Sequence, residues 1–501
     1  MPAFRRTAAS PHLVALAGIV LLGALLRFAT LDLQSYRYDE AVTVGRVLHP
    51  SLFSTLSAVP HSESTPPLYY LVAWIWSRPF GTGEVWMRSL SALAGTASIV
   101  VVYLCAVALP LPRRAGLIAA ATVAVSPVLI WFSQDARAYA LVFLLTALSF
   151  LFFARARRGS APWDLAWWAV FSSLAIATHY FAGFVIVAEG ALLILGGNRR
   201  RVAVAVFAVV AAATLLVPIA QRQAANAHAG WISQQPLDQR LERAGAKLIG
   251  SDNGDEHGLR QTGPIPLGIP VALALAAIAL LFWRGNRDER GGAGVAALVA
   301  GAAVAMPLLL GLLGADYFDG RNLLPAFVPL LLVLGAGFGV RRAGWAGLGL
   351  AAAFCLCSLV FTLEIDRLPR LQREDLRNAA AEIGPLSLGT AVVTSRYAGS
   401  QPLRYYLGAQ LAAGALPPLR EIDLVGSGQV AGRNARRLLP PTFRRVESKP
   451  VSYEFTLTRF RSRFPVRVPL RLLQRGALVG GGRSASVLIA PSASVAPAPA
   501  R

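Results

Sequence analysis

Residues 113–158 read RRAGLIAAATVAVSPVLIWFSQDARAYALVFLLTALSFLFFARARR. Two apolar runs, 115–133 and 136–154, are bounded by arginine clusters and joined by a short turn that carries Asp135 and Arg137. A run of roughly 20 apolar residues is long enough to cross the hydrocarbon core of a bilayer. The stretch therefore predicts a hairpin of membrane helices. Arginine clusters favour the cytoplasmic side, so the charged turn is expected on the opposite face.

Outward from this hairpin, further apolar runs lie at 12–31, 86–109, 163–179, 181–197, 201–219, 265–283, 292–313, 322–340 and 344–363. With Arg5 and Arg6 placed in the cytoplasm, alternation puts Arg113/Arg114, Arg155/Arg157/Arg158, Arg199/Arg200/Arg201, Arg284/Arg287/Arg290 and Arg341/Arg342 there too. Every short arginine cluster falls on one side, which supports this register. Arg5 and Arg6 before an apolar run also suit a signal peptide, but the run is long enough to span and further spans follow. An uncleaved first helix in a multi-pass plasma (inner) membrane protein is the expectation.

Composition agrees. The 501 residues are 55% hydrophobic and 15% charged, with mean hydropathy +0.52, whereas soluble domains carry about a quarter charged residues. The net charge of +22 does not point to nucleic acid, because the arginines form short clusters between apolar runs. Cys105, Cys355 and Cys357 all lie inside such runs, with no disulfide or zinc spacing.

The alternation closes only if Pro66–Phe80 does not cross. This segment starts with Pro66-Pro67 and holds Tyr69, Tyr70, Trp74 and Trp76, which suits a helix lying at the interface. A short or re-entrant span is the alternative. The outer face then receives the loop 32–85, the turns near Ser133–Arg137 and His179–Tyr180, the polar loop 220–264 and the turn Asp316–Arg321. It also receives everything from Glu364 onward. In that tail, Asp375–Ile383 reads as a helix, and Thr390–Thr394 and Val451–Arg459 read as strands. The expected organisation is a membrane domain over 1–363, an extracytoplasmic α/β domain over 364–480 and a disordered, Gly/Ser/Ala/Pro-rich tail over 481–501.

Chemistry-bearing residues gather on this outer side. Asp39 and Glu40, in Tyr36-Arg37-Tyr38-Asp39-Glu40, suit a general base beside a polar anchor, or else a helix-capping pair. His61, Glu63 and Thr65 lead into the paired prolines, which stiffen the entry to the next helix. Asp135, Arg137 and Tyr139 sit where little loop exists to solvate them, and charges so close to hydrocarbon usually face a cavity or a partner. An Asp135–Arg137 pair is the structural alternative. His179 and Tyr180 have a similar standing. Arg321, on the outer side against the general trend, suits a bidentate grip on phosphate or a snorkelling contact with headgroups. The helix interiors look largely uncharged, which argues against a transporter.

The chain resembles the membrane glycosyltransferases of the GT-C fold, in the branch with protein O-mannosyltransferases and lipid A aminoarabinose transferases (family 39-like). The matching residues are Arg37-Tyr38-Asp39-Glu40-Ala41, Thr65-Pro66-Pro67-Leu68-Tyr69-Tyr70, Arg88 through Gly95, Ser133-Gln134-Asp135-Ala136-Arg137-Ala138-Tyr139, Thr178-His179-Tyr180-Phe181 and Arg321-Asn322-Leu323-Leu324-Pro325. The resemblance implies a bundle of about 11–13 transmembrane helices with a small C-terminal extracytoplasmic α/β domain. It implies a polyprenyl-phosphate sugar donor of the mannose or pentose class. It also implies inverting transfer to an acceptor hydroxyl on glycan, lipid or protein.

By the same resemblance Asp39 is the catalytic base, with Glu40 beside it. Asp135 shapes the acceptor or a metal site. Arg137 and Arg321 hold the donor phosphate, with Tyr139, His61, Thr65, His179 and Tyr180 as further binding residues. Relatives often place Lys or His immediately before the paired prolines, where this chain has Thr65, so His61 is a candidate substitute. No cofactor is certain. A divalent metal stays open, with Glu63 and His61 as its candidate ligands. The rival reading is a transporter or flippase of lipid-linked saccharides.

Overall fold

The computed structural model describes residues 10–159, 161, 163–196, 199–226, 230, 232–248, 265–427, 430–480 and 484–491. The chain forms two compact units. One comprises Met1–Leu31, His49–Phe80 and Val85–Arg367; the other comprises Asp32–Leu48, Gly81–Glu84 and Leu368–Arg501.

The first unit is helical. Its elements are α1 (Pro11–Phe28), α3 (Leu52–Ser62), α4 (Leu68–Phe80), α5 (Glu84–Ala108), α6 (Arg113–Val125), α7 (Pro127–Ser133), α8 (Tyr139–Arg157) and α9 (Asp164–Thr178). They continue with α10 (Ala182–Gly196), α11 (Arg199–Thr214), α12 (Val217–Ala225), α13 (Leu237–Leu248), α14 (Gly268–Arg284), α15 (Arg287–Leu312), α16 (Leu324–Phe338) and α17 (Gly344–Arg367); α2 (Tyr38–Val42) belongs to the second unit. Among the described residues, six helical stretches are long and apolar enough to cross a membrane, and the bent pair α6–α7 makes a seventh. Four more apolar helices, α9, α10, α14 and α16, are shorter. Every apolar run of the sequence has thus become a helix. The difference from the expected 11–13 spans lies in length, since these four fall short of the roughly 20 residues a straight crossing needs.

Large apolar side chains point outward from these helices, among them Leu195, Phe207 and Trp283 at 83%, 72% and 80% exposed. Such surfaces are stable only in lipid. The chain is a multi-pass membrane protein. Helix α16 is largely enclosed, and small residues replace bulk at its crossings. A Cβ on Gly335 would stand 2.7 Å from the Ala115 carbonyl, and one on Gly337 would stand 2.3 Å from that of Ala277. Glycine lets the backbones approach this closely.

The run 115–133 is not one straight helix. It breaks at Ser126 with a bend of 59°, because Pro127 cannot donate an N–H and Ser126 caps the new helix through its hydroxyl. A break in a span exposes carbonyls that lipid cannot satisfy. Here all four at the end of α6 are bonded. The Ser126 N–H reaches the Thr122 carbonyl, and Arg27 donates to Val123 at 2.9 Å and Ala124 at 3.0 Å. Thr362 donates to Val125 at 3.1 Å. Arg27 also bonds Ser133 Oγ on α7 at 3.1 Å, so one buried guanidinium holds both arms of the bend.

Between Pro66 and Phe80 the structure has only the 13-residue α4, which is shorter than a spanning helix. The polar stretch 220–264 contains the end of α12 and the amphipathic α13, and its residues 249–264 lie outside those described. Arg240 of α13 grips Asp316 through two bonds of 2.8 and 2.7 Å.

The second unit is the expected small α/β domain. Its strands are β1 (Thr390–Ser395), β2 (Gln410–Leu411), β3 (Leu419–Ser427), β4 (Arg444–Pro450), β5 (Phe455–Val466) and β6 (Ala485–Ile489). They form one sheet in the order β2-β6-β1-β3-β5-β4, with β1 and β3 parallel. Helices α18 (Leu376–Ile383), α19 (Ser400–Leu407), α20 (Val430–Leu438) and α21 (Leu470–Leu473) complete it. The alternation of β1 puts Ala391 and Val393 with Ala435 and Leu473 on one face, and Val392 with Leu376 and Leu403 on the other.

Two sequence expectations need correction here. The strand expected at 451–459 starts at Phe455 and runs on to Val466, because Val451–Glu454 form the turn out of β4. Residues 485–489, assigned by composition to a disordered tail, are the strand β6, paired with β1 and β2. The alternation of its buried residues outweighs the surrounding Gly and Ser. Residues 481–483 and 492–501 of that tail lie outside those described.

Candidate functional site

In the helical unit, Glu63 caps the end of α3 and the Thr65-Pro66-Pro67 segment leads into α4. The turn between α7 and α8 brings Arg137 to Glu63, and the two meet in a forked pair with both bonds at 2.8 Å. Both side chains are buried. Beside this pair, the Asp135 backbone carbonyl accepts the Arg137 N–H at 2.8 Å. Asp135 is fully buried, and its carbonyl also accepts from Ser91 at 2.7 Å.

Around the pair, Thr65 Oγ1 lies 2.8 Å from the Tyr70 hydroxyl. Burial pushes the Tyr70 phenol well up, so it stays a neutral donor. The Thr65 carbonyl accepts from Gln223 Nε2 at 2.8 Å, and Gln223 Oε1 accepts from Tyr180 at 2.8 Å. Burial raises the Tyr180 phenol to about 12. Tyr139, at the start of α8, packs its ring against Phe132 at 4.5 Å and His179 at 5.8 Å. Burial, with the Arg321 and Arg137 charges, drives His179 down to about 3. His179 is therefore neutral at physiological pH and offers hydrogen bonds, not charge. Arg321 stands 3.8 Å from Asp319. His61, at the end of α3, is exposed.

In the second unit, Asp39 occupies the first turn of α2, 3.7 Å from Arg37, with its side chain 35% exposed. Glu40 is fully buried. Its carboxylate caps the helix by accepting the Arg37 N–H at 3.1 Å and stands 3.6 Å from Arg373. Of the adjacent carboxylates, Asp39 is the accessible one. The sequence-derived residues thus divide between the units: Asp39 and Glu40 in one, and His61, Glu63, Thr65, Asp135, Arg137, Tyr139, His179, Tyr180 and Arg321 in the other.

Among the described residues no three His, Cys, Asp or Glu side chains group to hold a metal ion. Both Glu63 oxygens are engaged by Arg137, which leaves that carboxylate poorly disposed toward a cation.

The sequence reading passed over two buried groups. These are Arg27, in the last turn of α1, and Glu189, within the apolar run 181–197. Glu189 Oε2 accepts from Ser149 at 2.6 Å and Trp168 Nε1 at 2.8 Å, and Ser149 also bonds Ser172 at 2.9 Å. Helices α8, α9 and α10 are pinned by this cluster. The expectation of largely uncharged helix interiors does not hold here. A Glu inside an apolar run, with a Ser on a neighbouring run, was the available signal.

The fold that carries these residues is that of the GT-C membrane glycosyltransferases. A family profile described as dolichyl-phosphate-mannose-protein mannosyltransferase matches residues 64–221, the part holding Thr65, Asp135, Arg137, Tyr139, His179 and Tyr180. No curated protein sequence matches the chain. Among solved structures the chain is similar to ArnT from Cupriavidus metallidurans bound to undecaprenyl phosphate, at 13% identity and TM-score 0.53, covering 90% of this chain and 98% of that one. It is similar also to the same protein in the apo state, at 14% identity and TM-score 0.51, with the same coverage.

Proposed function

We propose that the chain is a glycosyltransferase that moves a sugar of the mannose or pentose class from a polyprenyl-phosphate donor to an acceptor hydroxyl, on the extracytoplasmic face of the inner membrane. The observation that carries this reading is the polar assembly of the helical unit: Glu63, Arg137, Thr65, Tyr70, His179 and Gln223, all buried, with the half-buried Tyr180. It occurs in a fold whose solved relative holds undecaprenyl phosphate. Groups so costly to bury among apolar helices are retained where a ligand uses them.

In the proposed reaction, Asp39 takes the proton of the acceptor hydroxyl as that oxygen bonds the anomeric carbon. The carbon–oxygen bond to phosphate breaks, and the electron pair leaves with polyprenyl phosphate. One displacement inverts the centre, through an oxocarbenium-like transition state. Negative charge growing on the phosphate calls for preorganised cations. Arg321 is the candidate to meet it directly. Glu63 compensates Arg137, so Arg137 orients the donor and the neutral His179 and Tyr180 offer hydrogen bonds.

A second reading, transport of a lipid-linked saccharide, is favoured by Glu189, a carboxyl buried within an apolar helix, where a translocation path would place one. The test is transfer from radiolabelled polyprenyl-phosphate mannose or pentose by the purified protein in membranes that supply acceptors. Transfer supports the enzyme. Movement of intact donor across vesicles without transfer would replace it by the transporter.

A further inference from the structure

Within the second unit, the short turn from β1 into α19 faces the helix that carries Asp39. The Tyr38 and Tyr397 rings meet edge to face, 6.2 Å apart at 64°. The Arg396 guanidinium lies 5.7 Å from the Tyr397 ring centre. The charges of Arg46, Asp39 and Arg396 all reach Tyr38, whose phenol burial raises above its ordinary range. Yet Tyr397 remains 70% exposed, and Arg396 and Arg46 are exposed beside it.

The turn is built to hold this geometry. Ser395 Oγ accepts the Gly399 N–H at 3.0 Å, and Ser400 Oγ donates to the Arg396 carbonyl at 2.6 Å. Gly399 is required, since a Cβ there would stand 2.0 Å from Thr394 Oγ1. An aromatic ring and a guanidinium are thus held open to solvent on a braced turn. Folding gives no reason for that exposure. Recognition does: a tyrosine face packs the apolar face of a sugar ring, and guanidinium grips carboxylate or phosphate. The composition of the C-terminal segment agrees, with twenty Lys and Arg against seven Asp and Glu from residue 368 to 501.

We propose that Arg396 and Tyr397 form the acceptor platform beside Asp39, and that the acceptor is an anionic glycan. The sugar ring lies on Tyr397, and its carboxylate or phosphate is held between Arg396 and Arg46. The assignment to the acceptor rests on Asp39 being the transfer base.

Direct binding to the full-length protein in nanodiscs tests this, using trigalacturonate, a phosphorylated mannotriose and neutral mannotriose as probes. The wild type is expected to bind at least one anionic probe about tenfold more tightly than the neutral one, and the preferred anion identifies the group. Tyr397→Ala and Arg396→Gln should each weaken that binding about fivefold or more, with unchanged unfolding temperature. Binding that ignores both substitutions, or that is no stronger for either anion than for mannotriose, overturns the platform. Because no transfer is required, the two readings fail separately. Binding through Arg396 and Tyr397 without glycosyl transfer by the wild type would remove the enzyme and keep an anionic-glycan site.

Discussion

Arg137 and Glu63, 74 residues apart in the chain, meet through two parallel hydrogen bonds of 2.8 Å each, out of water. The pair fastens the turn before α8 to the lead into α4. Removing one partner leaves the other's charge buried and uncompensated. Arg137→Ala should therefore cost about 3–5 kcal/mol, read as a fall in unfolding temperature in detergent. The double variant Glu63→Leu with Arg137→Met should recover most of that loss. A single variant as stable as the wild type would show that the pair does not hold this turn.

Arg27 satisfies carbonyls that the break in the α6–α7 span would leave bare in a lipid environment. Arg27→Met keeps the apolar stem and deletes the donors, with an expected cost of about 2–4 kcal/mol. Gly95→Ala probes the same place from the other side, because its Cβ would press within 2.0 Å of Ser133 Oγ. Both substitutions should lower thermal stability, and Arg27→Lys should fall between Met and wild type.

His179 gives a pH signature. Its folded value is about 3, against an ordinary 6.5. Between these values the unfolded chain binds the proton and the folded chain does not, so stability rises with pH. Its destabilising contribution is absent above about pH 6.5, grows as pH falls, and levels off below about 3. Urea or thermal unfolding followed from pH 7.5 to pH 4 should show this slope, and His179→Gln should flatten it.

Glu189 receives the Ser149 hydroxyl and the Trp168 indole N–H on one oxygen. Glu189→Gln keeps a carbonyl acceptor and should be well tolerated. Glu189→Leu strands two buried donors and should destabilise by about 2–4 kcal/mol, with a change in tryptophan emission. Equal stability of the two variants would show that the polar cluster does not join the three helices.

Periodicity and charge made the helical framework legible: each apolar run became a helix, and Asp375 caps α18 where the sequence placed its start. The break at Ser126 was legible in principle, since Ser-Pro inside an apolar run is a capping and breaking signal. The partner of Arg137 was not. Glu63 lies 74 residues away, and only the tertiary fold brings it to Arg137. Nor could residue type and spacing separate Asp39 from Glu40, which only the family resemblance told apart. That distinction depends on Glu40 turning inward to the Arg37 N–H and Arg373, with Asp39 left accessible. The strand β6 was masked by a composition that local alternation overrides.

The measurement closest to the central claim is transfer of label from polyprenyl-phosphate sugar by the purified protein, wild type beside Asp39→Asn at matched stability. Transfer by the wild type is expected, with kcat reduced about a hundred- to ten-thousand-fold in the variant and donor binding unchanged. Undiminished turnover in Asp39→Asn would contradict the assigned base, and a folded wild type that transfers sugar from no such donor would contradict the enzyme itself.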